Sequence, residues 1–404
     1  MCNKCGRDHH SDDIASPERR QILQAGAGMI AVPLTAGGVT LASISDAALA
    51  QGGKAMAAEK VRAFGFNAAK GPAAPMEIAR RAVGPDDVKM DVLFAGICHS
   101  DIHAINADWG LGHFPLVPGH EIVGRVVAVG KNVTRFKVGD IGGVGCMVGS
   151  CGVCENCKNG REQVCLNGTT FTYGSPDKAH GGFTYGGYSR KIVVKEHFVV
   201  NVPKGMDLSR VAPIMCAGIT TFSPMQHWKL AKDQRVGVIG IGGLGHMAVK
   251  LGVARGAEVT AFTTTSGKVP QIKTMGAKEA VLWNDATAMR RLRNSFDFMI
   301  STVPEPFEIQ QFIDLLKLDA TLVNVGQLGT VNGVSGMMMA FGRKSLSGSM
   351  IGGMAETQEV VNYCAAHNVL PDVEIIKPDE INNAIARVMN RDIKFRFVID
   401  MRNA

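Results

Sequence analysis

Two periodicities divide the chain. Between residues 60 and 202, apolar and β-branched positions come in short runs broken by glycine turns, as at 88–94, 122–129 and 189–194. Runs of this length and spacing predict strands, here of a small, partly open β-barrel. Between residues 207 and 350 the period changes: buried strands are expected at 234–239, 258–262, 296–300 and 321–325, separated by stretches such as the apolar helix at 247–254. Alternation of strand and helix predicts a doubly wound parallel sheet. From about residue 351 the chain is expected to rejoin the barrel, so the fold class is α/β plus β.

The first fifty residues follow neither pattern. Arg19 and Arg20 precede Ile22 and Leu23, no charge occurs from Gln21 to Ser45, and Asp46-Ala-Ala-Leu-Ala50 supplies a small-x-small cleavage site. Residues 1–50 read as a twin-arginine-type signal peptide, too glycine-rich and weakly apolar to span a membrane. The expectation is periplasmic delivery by the twin-arginine export machinery; the alternative is a cytoplasmic protein with an uncleaved extension. Zinc thiolates acquired before export would be protected from oxidation. Cys2, Cys5, His9 and His10 make a further, weaker metal-binding candidate ahead of the signal.

Composition narrows the function. A hydrophobic content of 46% over 404 residues suffices for a large core. The net charge of +7 is mild, and no run of Lys and Arg interleaved with aromatics occurs, which argues against a nucleic-acid partner. Ten cysteines are too few for a disulfide scaffold at this length. Four of them, Cys151, Cys154, Cys157 and Cys165, lie in one glycine-punctuated loop. One Zn²⁺ satisfies four such thiolates at once, whereas two bridges among them would close awkward small loops. A closed structural zinc lobe is expected at 146–166, with Lys158 and Arg161 offsetting its surplus negative charge. Cys146 and Cys364, in apolar surroundings, are expected to be buried small side chains.

Three further clusters interrupt the barrel pattern. Gly96-Ile-Cys98-His99-Ser100-Asp101-Ile-His103 follows a strand, Pro118-Gly119-His120-Glu121 precedes one, and Pro213-Ile-Met-Cys216-Ala-Gly-Ile-Thr220 comes later. Together they offer Cys98, His120 and Cys216 as three zinc ligands that leave a fourth position open, the pattern of a catalytic site. Glu121 is placed to enter that position transiently or to hold the ligand shell. In the second region Gly240-Ile-Gly242-Gly243-Leu244-Gly245 sits between a strand and a helix, where its glycines let a pyrophosphate reach the helix N-terminus. No acid occurs between Glu258 and Glu279, where an NAD site would place one for the ribose hydroxyl. Thr263, Thr264, Thr265, Ser266 and Lys268 stand there instead, with Lys273 in reserve, and favour the 2′-phosphate of NADP(H).

Taken in order, these motifs, with Gly348-Ser-Met-Ile-Gly-Gly and Phe395-Arg-Phe-Val-Ile-Asp400, resemble the zinc-dependent medium-chain dehydrogenase/reductase superfamily and, within it, the cinnamyl-alcohol dehydrogenase-like NADP-dependent aldehyde reductases. The resemblance runs from Val61 to the end. It implies a GroES-like catalytic domain at 60–206 and 351–404, a Rossmann NADP-binding domain at 207–350, two Zn²⁺ per chain, and a homodimer joined through the nucleotide domains. It implies that Cys98, His120 and Cys216 hold the catalytic zinc with Glu121 nearby, and that Asp101 fixes the tautomer of His120. Ser100 would accept the alcohol proton and His103 would pass it to solvent. Gly240, Gly242, Gly243, Leu244, Gly245, Thr220, Thr264, Thr265 and Lys268 would bind NADP(H), and Trp109, Leu111 and Met350 would line the substrate pocket. The implied reaction interconverts primary aromatic or medium-chain alcohols and aldehydes. The rival readings are an NAD-dependent zinc polyol or secondary-alcohol dehydrogenase, a zinc-free quinone or enone reductase, and an exported zinc- or cofactor-binding protein without turnover.

Overall fold

The computed structural model describes residues 58–404 apart from 109, 111–112, 391 and 393–394. The leader, the Cys2/Cys5/His9/His10 cluster and the pocket candidates Trp109 and Leu111 lie outside the described residues.

Strand Asp87–Gly96 is the axis of the first layer. It is buried along most of its length because it has neighbours on both edges. It pairs antiparallel with Ile122–Val129, Lys191–Lys195 and Arg396–Asp400. The sheet continues through Ile141–Val144 and Val200–Asn201 on one side and Val373–Ile376 on the other, while the hairpin Glu59–Gly65/Ala74–Arg80 forms a separate two-stranded ribbon. The glycine turns that broke the sequence pattern are where this layer curls. The late strand Arg396–Asp400 meets the end of the axis, with Val398 opposite Gly96, so the C-terminal segment and the first ligand cluster share one edge.

The second layer is a six-stranded parallel sheet. Its order is Glu279–Leu282, Glu258–Thr263, Arg235–Ile239, Phe296–Ser301, Leu316–Asn324, Ser345–Gly348. The chain winds outward from Arg235–Ile239 in one direction and then in the other, which leaves a crevice at the carboxyl end of that strand. Helix Gly243–Ala254 begins inside the glycine motif rather than after it. Helix Ala217–His227, almost wholly buried, packs on it and on Met354–His367. The guanidinium of Arg255 lies over both Phe222 and Tyr363, binding these three helices into one layer.

Candidate active site

The axis strand ends at Gly96 for a steric reason. A Cβ there would stand 2.0 Å from a carboxylate oxygen of Glu121, so only glycine admits that side chain. Two residues later Cys98 caps helix His99–Asn106, and the Asp101 carboxylate accepts the Cys98 backbone N–H at 2.8 Å, the reciprocal half of a capping box. This cap aims the Cys98 thiol inward. Asp101 is fully buried and also accepts from Tyr188 Oη at 3.1 Å and from the Gly119 N–H at 3.2 Å. Its Oδ1 lies 3.5 Å from His120 Nδ1, which turns the opposite ring nitrogen, Nε2, towards the thiols. Cys216 arrives from the buried turn Ala212–Met215 that starts helix Ala217–His227.

The result is a cluster in which ligand atoms of Cys98, His120, Glu121 and Cys216 lie within 4.8 Å of one another, all four residues buried. The Cys98 and Cys216 sulfurs are 3.8 Å apart. Bonding to Cys216 holds the Cys98 thiol well below its ordinary pKa, against the effect of burial, and the Arg396 and His120 charges add to the drop. Cys216 is pushed the other way by its bonds to Cys146 and Cys98 and by burial. His120 Nε2 is buried without a hydrogen-bond partner. A buried imidazole nitrogen facing two thiols is a donor set that fits a zinc ion.

Glu121 points mainly elsewhere. One of its oxygens lies 3.2 Å from the guanidinium of Arg396, and both side chains are buried. Burial pushes the Glu121 carboxyl well above its ordinary value, against the pull of Arg396. Arg396 also donates to the Ile97 carbonyl at 3.1 Å, and a Cβ on Gly243 would stand 2.8 Å from its guanidinium carbon. It therefore bridges the ligand cluster and the N-terminus of the glycine-motif helix. Sequence pattern assigns Arg396 no role, because its partners Ile97 and Glu121 lie far earlier in the chain and meet it only when strand Arg396–Asp400 pairs with the axis. Cys146 corrects the earlier expectation: it is half-buried, and the neighbouring Cys216 and His120 lower its thiol to about 6 despite burial. Cys364 is a buried core thiol, pushed up to about 12.

Ser100 and His103 stand three residues apart on the capped helix, so they share a face. The Ser100 hydroxyl oxygen accepts from Cys98 Sγ at 3.7 Å, beside the ligand cluster. His103 Nδ1 meets the Asp108 carboxylate at 2.9 Å, a partner that sequence spacing alone did not single out. Thr220, four residues after Cys216, has a buried hydroxyl without a partner.

The nucleotide candidates gather at the crevice. Gly240 has φ +82 and Gly245 packs so closely that a Cβ would lie 1.9 Å from the Gly240 carbonyl oxygen. Nothing stands within 4 Å of where a Cβ on Gly242 would be, which leaves the helix N-terminus open to a pyrophosphate. Leu244 is partly buried against the core. Thr264, Thr265 and Ser266 are exposed just beyond strand Glu258–Thr263. Lys268 Nζ donates to the Ile241 carbonyl at 2.9 Å, which sets a cation beside those hydroxyls and over the glycine turn. Lys273 donates instead to the Lys278 carbonyl. Met350 is 46% exposed.

The four-cysteine loop folds on itself. The sulfurs of Cys151, Cys154, Cys157 and Cys165 all lie within 4.8 Å of one another, and none forms a disulfide. Backbone N–H groups of Val153 and Cys154 lower Cys151 to about 6, whereas burial raises Cys157 to about 11. Lys158 and Arg161 are exposed on the same loop. Glu162 anchors the lobe to the body of the protein, bonding His197 at 2.7 Å and the Met354 N–H at 3.1 Å.

Comparison with known proteins agrees with this arrangement. Residues 84–204 match the alcohol dehydrogenase GroES-like domain and residues 243–366 the zinc-binding dehydrogenase domain. The chain is 46% identical to aldehyde reductase YahK of Escherichia coli, over 85% of its own length and 99% of that protein. It is 47% identical to NADP-dependent alcohol dehydrogenase C of Mycobacterium bovis, over 84% of its length and 98% of that protein. The structure of a cinnamyl alcohol dehydrogenase (CAD) from Helicobacter pylori, complexed with NADP(H), superposes with a TM-score of 0.81 at 40% identity, over 86% of this chain and 99% of that one. A buried cluster of Cys98, His120, Glu121 and Cys216, a separate cysteine lobe and a glycine-turn crevice thus occur together in a chain that belongs to the zinc-binding alcohol dehydrogenase family.

Proposed function

We propose that this protein is a zinc-dependent alcohol dehydrogenase and aldehyde reductase that interconverts primary aromatic or medium-chain alcohols and aldehydes with NADP(H). The observation that carries the reading is the Cys98/His120/Cys216 cluster with Ser100 at its rim. Zinc in that cluster would supply Lewis acidity that favours loss of the alcohol proton and polarises the aldehyde carbonyl, and the nicotinamide would take or give the hydride. Asp101 holds His120 so that Nε2 faces the cluster. Ser100 accepts the alcohol proton and passes it to His103 on the same helical face, and Asp108 keeps the His103 ring oriented. Arg396 sets its charge between Glu121 and the glycine-motif helix, where it faces an incoming pyrophosphate. Thr264, Thr265 and Lys268 receive the 2′-phosphate.

The reading is tested by following NADPH oxidation with cinnamaldehyde, benzaldehyde and a medium-chain aldehyde, before and after treatment with a chelator. Turnover that needs the metal and prefers NADPH to NADH is expected. Equal use of NADH would remove the reading of residues 263–268.

The same proposal includes a homodimer. Strand Ser345–Gly348 forms an open end of the parallel sheet, and the helix before it exposes Met337 and Phe341 at 65% and 81%. A second copy would cover both. Light scattering should report a dimer for the natural chain and a monomer for Phe341→Glu. Export by the twin-arginine machinery remains part of the proposal, supported by Arg19-Arg20 and the cleavage site ending at Ala50. Intact-mass analysis of cell fractions tests it: a full-length chain confined to the cytoplasm would defeat it.

A further inference from the structure

A large cavity lies apart from the ligand cluster and the nucleotide crevice. It measures about 530 Å³ and is enclosed by the end of strand Ala74–Arg80, the inner side of the cysteine lobe at 148–151, strand Lys191–Lys195 and the loop 177–185. That volume is in the range of small-molecule sites.

Its wall is positively charged. Arg80, Arg81, Lys178 and Lys195 line it with His180, against one carboxylate, Asp177. Asp177 is engaged by His180 Nδ1 at 3.0 Å, and Arg81 is neutralised by a forked pair with Asp87. Arg80 has no such relief. It is 8% exposed, and its guanidinium donates at 2.7 Å each to the Tyr185 carbonyl, the Gly186 carbonyl and Ser189 Oγ, all neutral acceptors. Its Nε is buried with no partner. Burial and the neighbouring Arg81 lower its pKa to about 9. A buried cation without a counter-charge is costly to keep, and an anion beside it would repay the desolvation. Lys178 reaches across the rim to the Asn167 carbonyl at 2.5 Å, and Lys195 is exposed, so both can turn to a guest.

We infer that this cavity binds a small anionic metabolite through a phosphate or carboxylate group, with Arg80 at its base and Lys178 and Lys195 at its rim. The loop that closes the cavity also faces the catalytic side: Phe183 stacks on His113 with ring centroids 3.4 Å apart, and Tyr173, just before the loop, stacks on His120 at 5.5 Å. A guest would therefore order a segment that backs the zinc-ligand histidine.

The test uses the zinc-loaded protein saturated with NADP⁺, which keeps anions out of the nucleotide site. Inorganic phosphate, phenyl phosphate and succinate are titrated calorimetrically at fixed ionic strength, with chloride as control. Saturable binding of at least one probe is expected, weakened about tenfold in the Lys178→Ala/Lys195→Ala double variant. Arg80→Met should abolish it, but that change also cuts the bonds to the 185–189 turn. The exposed lysine pair leaves those bonds in place, and its melting temperature should match the parent. Binding of the phosphates alone identifies a phosphoryl ligand, and of succinate alone a carboxylate. No saturable heat with any probe, or an affinity untouched by the lysine pair, overturns the inference, and neither result bears on the dehydrogenase reading.

Discussion

The two thiol clusters differ in how the chain builds them. The lobe draws four sulfurs from a fifteen-residue loop (151 to 165) whose own backbone N–H groups prepare the thiolates, as the 3.3 Å contact from Cys154 N to Cys151 Sγ shows. The Cys98/His120/Cys216 cluster draws on a helix cap, the residues just before a strand and a buried turn, and Cys98 and His120 are both positioned by Asp101, which Tyr188 and the Gly119 N–H hold in turn. The local set supplies four thiolates, enough to close a tetrahedral site; the distant set supplies two thiolates and one imidazole, which would leave a zinc ion's fourth position for substrate. Stability therefore concentrates in the first and chemistry in the second.

The largest expected separation comes from serine substitutions. Cys98→Ser should lower kcat by at least ~10³-fold, with the melting temperature nearly unchanged, since it removes several kcal/mol of Lewis-acid stabilisation. Cys157→Ser should do the reverse, unfolding the lobe at lower temperature while the remaining folded protein turns over. Equal effects of the two on kcat would erase the distinction.

Next in size, Ser100→Ala should cost ~10²-fold or more in kcat, the usual scale of a lost proton acceptor. Asp108→Asn should cost less, about tenfold, and shift the pH profile of kcat because it acts through His103. Lys268→Ala should raise KM for NADPH about tenfold and leave NADH little changed, the value of one charge-assisted bond to a phosphate.

The smallest effect concerns acid stability. His246 is buried, bonds the Gly243 carbonyl at 2.8 Å, and burial lowers its pKa from 6.5 to about 3, with Lys250 and Arg396 adding to the drop. The unfolded chain takes up a proton below pH 6.5 and the folded one does not, so the contribution is complete above 6.5 and is lost as pH falls from there towards 3. The loss is at most ~1.4 kcal/mol per pH unit. His246→Gln should flatten the fall of melting temperature across that window, and an unchanged slope would contradict the assignment.

Sequence pattern carried the strands and the glycine turn well, because alternation and punctuation are local. Strand 122–129 is observed as Ile122–Val129, and 296–300 as Phe296–Ser301. The lobe was legible for the same reason, its ligands being neighbours. Arg396 was not, since its carboxylate partner at Glu121 is brought to it only when a late strand pairs with the axis. Cys146 misled through proximity: five residues before Cys151, it looks like lobe or core, but strand Met147–Gly149 separates the two and Cys146 lies beside the other cluster. The cavity under the cysteine lobe left no trace either, because its cations come from three separate stretches.

The bond from Arg396 to the Ile97 carbonyl spans 299 positions. On the ribosome, the helix cap bearing Cys98 emerges long before the strand that sets a positive charge behind it. A nascent chain can complete the cysteine lobe early, but the cation that backs its second cluster arrives only when translation is nearly over. Products released prematurely would carry the lobe's metal and yet never become enzymes.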